Sequence, residues 1–297
     1  MMSQSVDPKA GYKKMLTYVV MCILAYIFVF PLLFMISSSF KPENQIFTDL
    51  YSVNAVLPVG DISFDNYLAI FDKSRIGKFF MNSIIITGTS VAVGLIINSM
   101  AAFSLARLEW KGKKLVLSAI ISLLIIPGEA IMIPLLSLVA KLPWIGIENG
   151  ALEITSSWLN SLHVQIIPGL ANAFSIFLFY QFFKDIPKDF DEAAAIDGAK
   201  PFQIYWRIIV PMSGPVFATV AILQFLGNWN AYLWPVMVTQ SEDVRPVMLG
   251  IQQFFGNATS WGEVMAYATL ITLPVLAVFL IFQRRFVQSL AGAGIKG

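Results

Sequence analysis

Six stretches of the chain are nearly free of charge and long enough to cross a hydrocarbon core of about 30 Å as helices, which takes roughly 20 residues each. They lie at 16–37, 80–102, 115–138, 166–183, 212–234 and 264–283. Glu129 is the only charged side chain inside any of them. The first run is longer than the apolar core of a signal peptide and no small-residue cleavage site follows it, so an uncleaved anchor is expected. Pro31, Pro127, Pro134 and Pro274 fall within these runs. Each removes a backbone donor, so kinks are expected where neighbouring groups can satisfy the freed carbonyl. Pro168 and Pro215 fall in first turns, where proline is tolerated.

Polar segments between the runs fix an orientation. With the N-terminus inside, the inner segments hold Lys9, Lys13 and Lys14; Arg107, Lys111, Lys113 and Lys114; Lys184, Lys188, Lys200 and Arg207; and Arg284, Arg285 and Lys296. The outer loops hold only Lys41, Lys73, Arg75, Lys78, Lys141 and Arg245. An excess of Lys and Arg marks the cytoplasmic side, so both termini are expected there. Residues 1–15 then form a cytoplasmic N-terminal segment, 80–285 a core membrane domain, and 286–297 a cytoplasmic tail.

Composition agrees. Of the 297 residues 57% are hydrophobic and 13% charged, against about 45–50% and 25% in soluble domains. A net charge of +2 gives no footprint for nucleic acid. A single cysteine, Cys22, and a single histidine, His163, leave no intrachain disulfide and no Cys- or His-pair metal site. The expected class is an all-α integral membrane protein of six transmembrane helices.

The inner loop at 184–211 stands out as helix, turn, helix. Asp189 can cap a short helix whose first-turn acids suit the positive end of its dipole. Ala193, Ala194 and Ala195 are strong helix formers, and Gly198 can take the left-handed conformation that ends a helix. Pro201 suits the first turn of the next helix, and Pro211 marks the return to the membrane. So short a helix is marginal alone and must be held by packing. Phe190, Ala193, Ala194 and Asp197 share one face, and Glu192 beside them offers a carboxylate to a cation. That pattern suits a plug for a groove in a cytoplasmic protein. The other reading, a helix resting on lipid, fits poorly with its acidity.

These residues resemble the signature of ATP-binding-cassette importer permeases: Glu192-Ala193-Ala194, three residues, Gly198, nine residues, Ile208, one residue, Val210 and Pro211. Val210 stands where the family usually has Leu. Ser39-Phe40-Lys41-Pro42, Trp229-Asn230 with Leu233-Trp234-Pro235, and Gly294-Ile295-Lys296-Gly297 are similar to carbohydrate importer permeases, in particular the smaller six-span subunit of maltose-type transporters. The resemblance covers about 15–297 and implies the type I importer permease fold in a bacterial or archaeal cell membrane, the inner one in a Gram-negative cell. It also implies partners: a second homologous permease, two cytoplasmic ATPase subunits, an extracytoplasmic solute-binding protein and a sugar substrate. Membrane lipid surrounds the whole. The chain has no phosphate-binding Gly-rich loop of its own, so ATP and magnesium belong to the partner ATPase, and the chain is expected to be a transport subunit rather than an enzyme.

The resemblance further implies roles for single residues. Glu192, Ala193, Ala194, Gly198, Ile208 and Pro211 would couple to the ATPase, and Gly294, Lys296 and Gly297 of the tail would reach it. From the residues alone, 291–297 is a Gly-rich, non-helical end. The outer stretch Gln252, Phe254, Phe255, Gly256 and Asn257 would enter the binding protein's cleft. For the pathway, Glu129 is a candidate because a charge at a helix centre costs at least ~2.5–3.5 kcal/mol and needs water, protein or a polar partner. A carboxyl bonded to a freed carbonyl is the other reading. Trp229 and Asn230 offer stacking and amide bonding to sugar, or helix packing. Asn82, Ser83, Asn98, Asn172, Gln224 and Asn228 are polar groups that either line a path or bond helices together. Outer-loop aromatics such as Trp144, Trp158 and Trp261 read as an interface belt or as a docking surface. The loop at 139–165 is longer than the resemblance explains. Importers of a non-sugar solute and ion-coupled secondary transporters are the competing classes. No Lys or Arg within a span favours a neutral solute, and a lone intramembrane Glu fits ion coupling poorly.

Overall fold

The computed structural model describes residues 8–148, 151–256 and 259–294. Three helices are long and apolar enough to cross a membrane, and the number rises to six if each of three bent helix pairs counts as one span. The chain forms two compact units, Met1–Ser74 with Ile251–Leu273, and Arg75–Gly250 with Pro274–Gly297.

The first unit contains α1 (Pro8–Ser38), α2 (Glu43–Asp49), α3 (Asp65–Lys73) and the first turns of the last helix. In the apolar stretch of α1 no side chain is buried, as suits a helix wrapped by lipid. Its polar end is tightly built. Lys41, 1% exposed, pairs with Asp49 at 3.0 Å and donates to the Asn54 carbonyl at 2.6 Å. Asn66 Nδ2 donates to the carbonyls of both Ser39 and Lys41. That amide sits against Gly262, where a Cβ would lie 2.5 Å from Asn66 Oδ1. Ser39-Phe40-Lys41-Pro42 is therefore the knot that ties α1 to α2 and α3.

The second unit is built on α4 (Ile76–Arg107). It continues through α5 (Lys113–Leu123), α6 (Gly128–Val139), strands β1 (Trp144–Glu148) and β2 (Ala151–Thr155), α7 (His163–Ile166) and α8 (Ala173–Asp185). Then follow α9 (Asp189–Ile196), α10 (Pro201–Ile204), α11 (Val210–Met212), α12 (Gly214–Trp229), α13 (Leu233–Val238) and α14 (Val247–Gly250). The last helix, α15, runs Trp261–Gly294. α4 packs against α8 and α12. Gly94 makes room for the Gln224 side chain, and Gln224 Nε2 donates to Ser175 Oγ at 3.2 Å. Buried Asn98 donates to the carbonyls of Gly94 and Leu170 and accepts from Asn172 N. Small and amide side chains thus bond the helices together, as expected where lipid removes the hydrophobic drive between helices.

The helices at the first and second expected spans, α1 and α4, overrun 16–37 and 80–102 at both ends, and the other four differ as follows. The run at 115–138 is two helices, α5 and α6, meeting at 104°. Pro127, extended at ψ 132°, precedes α6 and cannot continue α5. The run at 166–183 begins with a short helix and turn bent 41° from α8, whose start is capped by Asn172 Oδ1 accepting from Ser175 N. The run at 212–234 ends at Trp229, and α13 starts separately with Pro235 in its first turn; α10 to α11 and α12 meet at 82°. The sixth helix is longer than 264–283 and passes Pro274. Its course as far as Gly294 also corrects the non-helical reading for 291–294, residues 295–297 lying outside the described residues: glycine costs about 1 kcal/mol in a helix, too little to stop a helix already propagating. Residues 283–294 follow this helical backbone.

The all-α expectation needs one amendment. β1 and β2 pair antiparallel, Trp144 opposite Thr155 and Glu148 opposite Ala151. The signal was in the sequence: Asn149-Gly150 between the strands is the dipeptide most favoured in a two-residue hairpin.

Candidate functional site

The segment 184–211 folds as a short helix, a tight reversal and a second helix. Asp189 does not cap α9. Lys188 occupies that position without a side-chain cap, and Asp189, Asp191 and Glu192 form the acidic first turn. At the other end Gly198 has φ +82°. Its N–H donates to the Ala195 carbonyl at 3.0 Å, and Ala199 N–H to the Ala194 carbonyl at 2.9 Å, the pair of bonds that closes a left-handed helix end. The next helix starts at Lys200, whose N–H donates to Gln203 Oε1 at 2.7 Å, with Pro201 first inside it. Tyr205–Ile209 widens into a π-helical turn. Pro211 lacks the N–H that an α-helix would give to the Arg207 carbonyl, and the wider turn absorbs that gap.

A single ion pair pins this unit to the end of α4. Arg107, 3% exposed, lies 3.3 Å from Asp191 Oδ2 and donates to the Ile186 carbonyl at 2.7 Å. Burial pushes the Asp191 carboxyl above its ordinary range, with Arg107 and Lys188 pulling the other way. Sequence reasoning missed this pairing, because the two residues are far apart in the chain and no local pattern links them. Beneath lies a core of Phe103, Phe179, Phe183, Tyr205, Ile209 and Val220. The Tyr205 hydroxyl meets Ser99 Oγ at 2.8 Å.

Ala194 and Ile208 are half-buried against that core. Glu192, Ala193, Gly198 and Pro211 are exposed. So are four large apolar side chains nearby: Phe190, Ile196, Phe202 and Trp206. Ile196 is 87% exposed, a costly position in water for a side chain with no partner.

The other expected sites are placed as follows. Gly294 is the last helical residue of α15, and Lys296 and Gly297 lie outside the described residues. In the outer stretch, Phe254 is buried against Tyr267 with ring centroids 5.1 Å apart, while Gln252, Phe255 and Gly256 are exposed. Gly256 N–H donates to Thr259 Oγ1, which donates back to the Gly256 carbonyl, closing a tight turn. Asn257 lies outside the described residues. Behind this turn Lys73 pairs with Glu263 at 2.6 Å.

Glu129 sits in the first turn of α6, exposed, rather than at a helix centre. There the positive helix end favours a carboxylate. Trp229 is buried between Phe80 and Phe225, with centroids 5.9 and 5.6 Å away. Asn230 is exposed and its Nδ2 donates to the Leu226 carbonyl at the end of α12. None of these three lines the cleft of ≈ 530 Å³ that lies between α4, α6, α7, α12 and α13. Trp144 stacks on His163 at 3.9 Å with Trp158 edge-on. No cluster of three or more His, Cys, Asp or Glu that could hold a metal occurs among the described residues.

Residues 91–292 match the model of the binding-protein-dependent transport system inner membrane component family. The chain is 30% identical over 278 residues to the arabinooligosaccharides transport system permease protein AraQ of Halalkalibacterium halodurans, covering 92% of this chain and 93% of that one. It is 30% identical over 277 residues to the lactose transport system permease protein LacG of Rhizobium radiobacter, covering 93% and 94%. Its fold is similar to a chain of a bacterial ABC transporter involved in the import of the acidic polysaccharide alginate, with a TM-score of 0.78 at 20% identity and coverage of 95% and 99%. The chain therefore belongs to the binding-protein-dependent transport system inner membrane component family, as a permease subunit.

Proposed function

We propose that this chain is the smaller permease subunit of a binding-protein-dependent ABC importer that moves a sugar or oligosaccharide by alternating access. The observation that carries the proposal is the exposed coupling unit. An acidic short helix, closed at Gly198 and locked to α4 through Arg107–Asp191, leaves Phe190, Ile196, Phe202 and Trp206 open to a partner. A cytoplasmic ATPase pair fits that surface, with Glu192 as the polar anchor. A charge-assisted bond of this kind contributes roughly 1.5–3 kcal/mol. Closure of the ATPases would move the unit and, through Arg107, α4. The names of the relatives support a carbohydrate substrate, and the Lys and Arg distribution supports six spans with both ends cytoplasmic. A second permease, an extracytoplasmic solute-binding protein facing the 251–260 turn, and the membrane of a bacterial or archaeal cell complete the assembly.

The test is ATPase activity of the complete transporter in proteoliposomes, with and without its binding protein, across arabinotriose, lactose, trehalose and raffinose. Stimulation by one loaded binding protein is expected. Stimulation only by amino acids or anions would remove the sugar assignment, and failure to assemble with an ATPase would remove the coupling reading.

A further inference from the structure

Several glycines in this chain are required by the fold. At Gly94 and Gly262 a Cβ would lie 2.8 Å from Gln224 Oε1 and 2.5 Å from Asn66 Oδ1, and Gly198 holds a φ of +82°. Gly128, Gly169 and Gly227 meet neither condition. None of the three has a positive φ, and a Cβ on any of them would find no heavy atom within 4 Å beyond its own chain neighbours. Gly227 also lies within α12, where glycine costs about 1 kcal/mol against alanine.

All three open onto one space, the cleft of ≈ 530 Å³ between α4, α6, α7, α12 and α13. They reach it from different elements: Gly128 from the first turn of α6, Gly169 from the turn ahead of α8, and Gly227 from the last turn of α12. Each is exposed, as are Ala171 and Asn172 on the same wall, so an occupant of the cleft meets these positions directly. The volume is in the range of small-ligand pockets, and the lining holds no charged side chain. Small residues also let membrane helices pack closely. A packed pair, however, sets them along one helix face, whereas these come singly from three elements around an open space. Asn172 and Asn228 add amides to the lining, a poor match for a lipid acyl chain.

We infer that the sugar passes through this cleft, and that the missing side chains at Gly128, Gly169 and Gly227 set the width of the sugar chain this subunit admits. Carbon added at any of the three narrows the space without disturbing the packing around it. The inference rests on the importer reading and deepens it, by naming what limits substrate size.

The experiment uses the complete transporter in proteoliposomes with its binding protein, and whichever panel sugar the wild type carries. Gly227→Ala should keep most uptake. Gly227→Leu should lower it about tenfold or more, the order of discrimination that a small change in pocket width gives, while stimulation of the ATPase by loaded binding protein persists. In a Cys22→Ser background, Gly227→Cys should react with a membrane-impermeant thiol reagent during turnover. Sugar-loaded binding protein should slow that reaction severalfold relative to sugar-free binding protein. Unchanged uptake in Gly227→Leu, or uptake and ATPase stimulation falling together, would overturn the inference. If Gly227→Leu fails to assemble, the thiol decides: labelling indifferent to sugar, or a thiol shielded in every state as a helix of the second permease filling the cleft would shield it, overturns the inference and leaves the importer reading intact. A wild type that carries none of the sugars would overturn the importer reading instead.

Discussion

At residues 39–42 the polar groups turn inward, with Lys41 held by Asp49 and the Asn54 carbonyl and Asn66 clasping two backbone carbonyls; at 189–211 large apolar side chains face outward, with Phe190, Ile196, Phe202 and Trp206 all exposed. Both stretches carry motifs, yet the first spends its chemistry within its own unit and the second reserves its surface. A buried charge that is paired and hydrogen-bonded has nothing left to offer a partner. Exposed aromatic side chains beside a pinned helix have most of their contact energy still to realise. Residue type alone does not separate the two cases. The difference lies in whether partners are present in the same unit.

This contrast predicts different kinds of damage. The largest effect is expected at Gly198. Valine there meets a left-handed φ that costs L-residues about 1–2 kcal/mol and misdirects the chain between α9 and α10. Gly198→Val should abolish uptake while the assembled complex still hydrolyses ATP. Gly198→Asn, which tolerates φ +82°, should retain most uptake, and parallel uptake and ATPase assays in proteoliposomes check both. A smaller effect, and of a different kind, is expected in the other unit. Lys41→Met leaves Asp49 without its cation and the Asn54 carbonyl without its donor, and should lower stability. It should be seen as a lower melting temperature in detergent with the uptake-to-ATP ratio of the surviving protein unchanged.

Gly262→Ala comes next. Its Cβ would meet Asn66, and forcing that amide off the Ser39 and Lys41 carbonyls should cost about 1–2 kcal/mol, again by thermal melting. The smallest effect concerns acid. The Lys41 and Gln45 hydrogen bonds hold the Asp49 carboxyl below its ordinary value of 3.8. A depressed carboxyl contributes stability above its unfolded pKa that is lost as pH falls through the folded one. Wild type should therefore lose stability relative to Asp49→Asn only below about pH 4, as melting curves from pH 3 to 7 would record.

Much of the coupling unit was legible because its signals are local: a run of alanines, a glycine at the reversal and a proline at the start of the second helix. The apolar runs were equally legible as lengths, but not as shapes. Nothing in 115–138 except Pro127 distinguishes one span from two half-helices meeting at 104°. That break moves Glu129 from an expected helix centre to a helix start. Asn149-Gly150 announced a hairpin that the apolar-run reading passed over. What could not be read was long-range. The pairing of Arg107 with Asp191, the fit of Asn66 against Gly262, and the gathering of Gly128, Gly169 and Gly227 around one cleft each depend on elements remote in sequence.

Site-directed crosslinking tests the central claim most directly. Cys22 is the chain's one cysteine, so a Cys22→Ser background carrying Ala193→Cys offers a single exposed thiol on α9, opposed by thiols introduced on the partner ATPase. If α9 docks on the ATPase, a specific crosslink to it is expected, with a yield that changes between ATP-bound and nucleotide-free states. A yield no greater than that from the same pairing with Lys111→Cys, and indifferent to nucleotide, would contradict that docking.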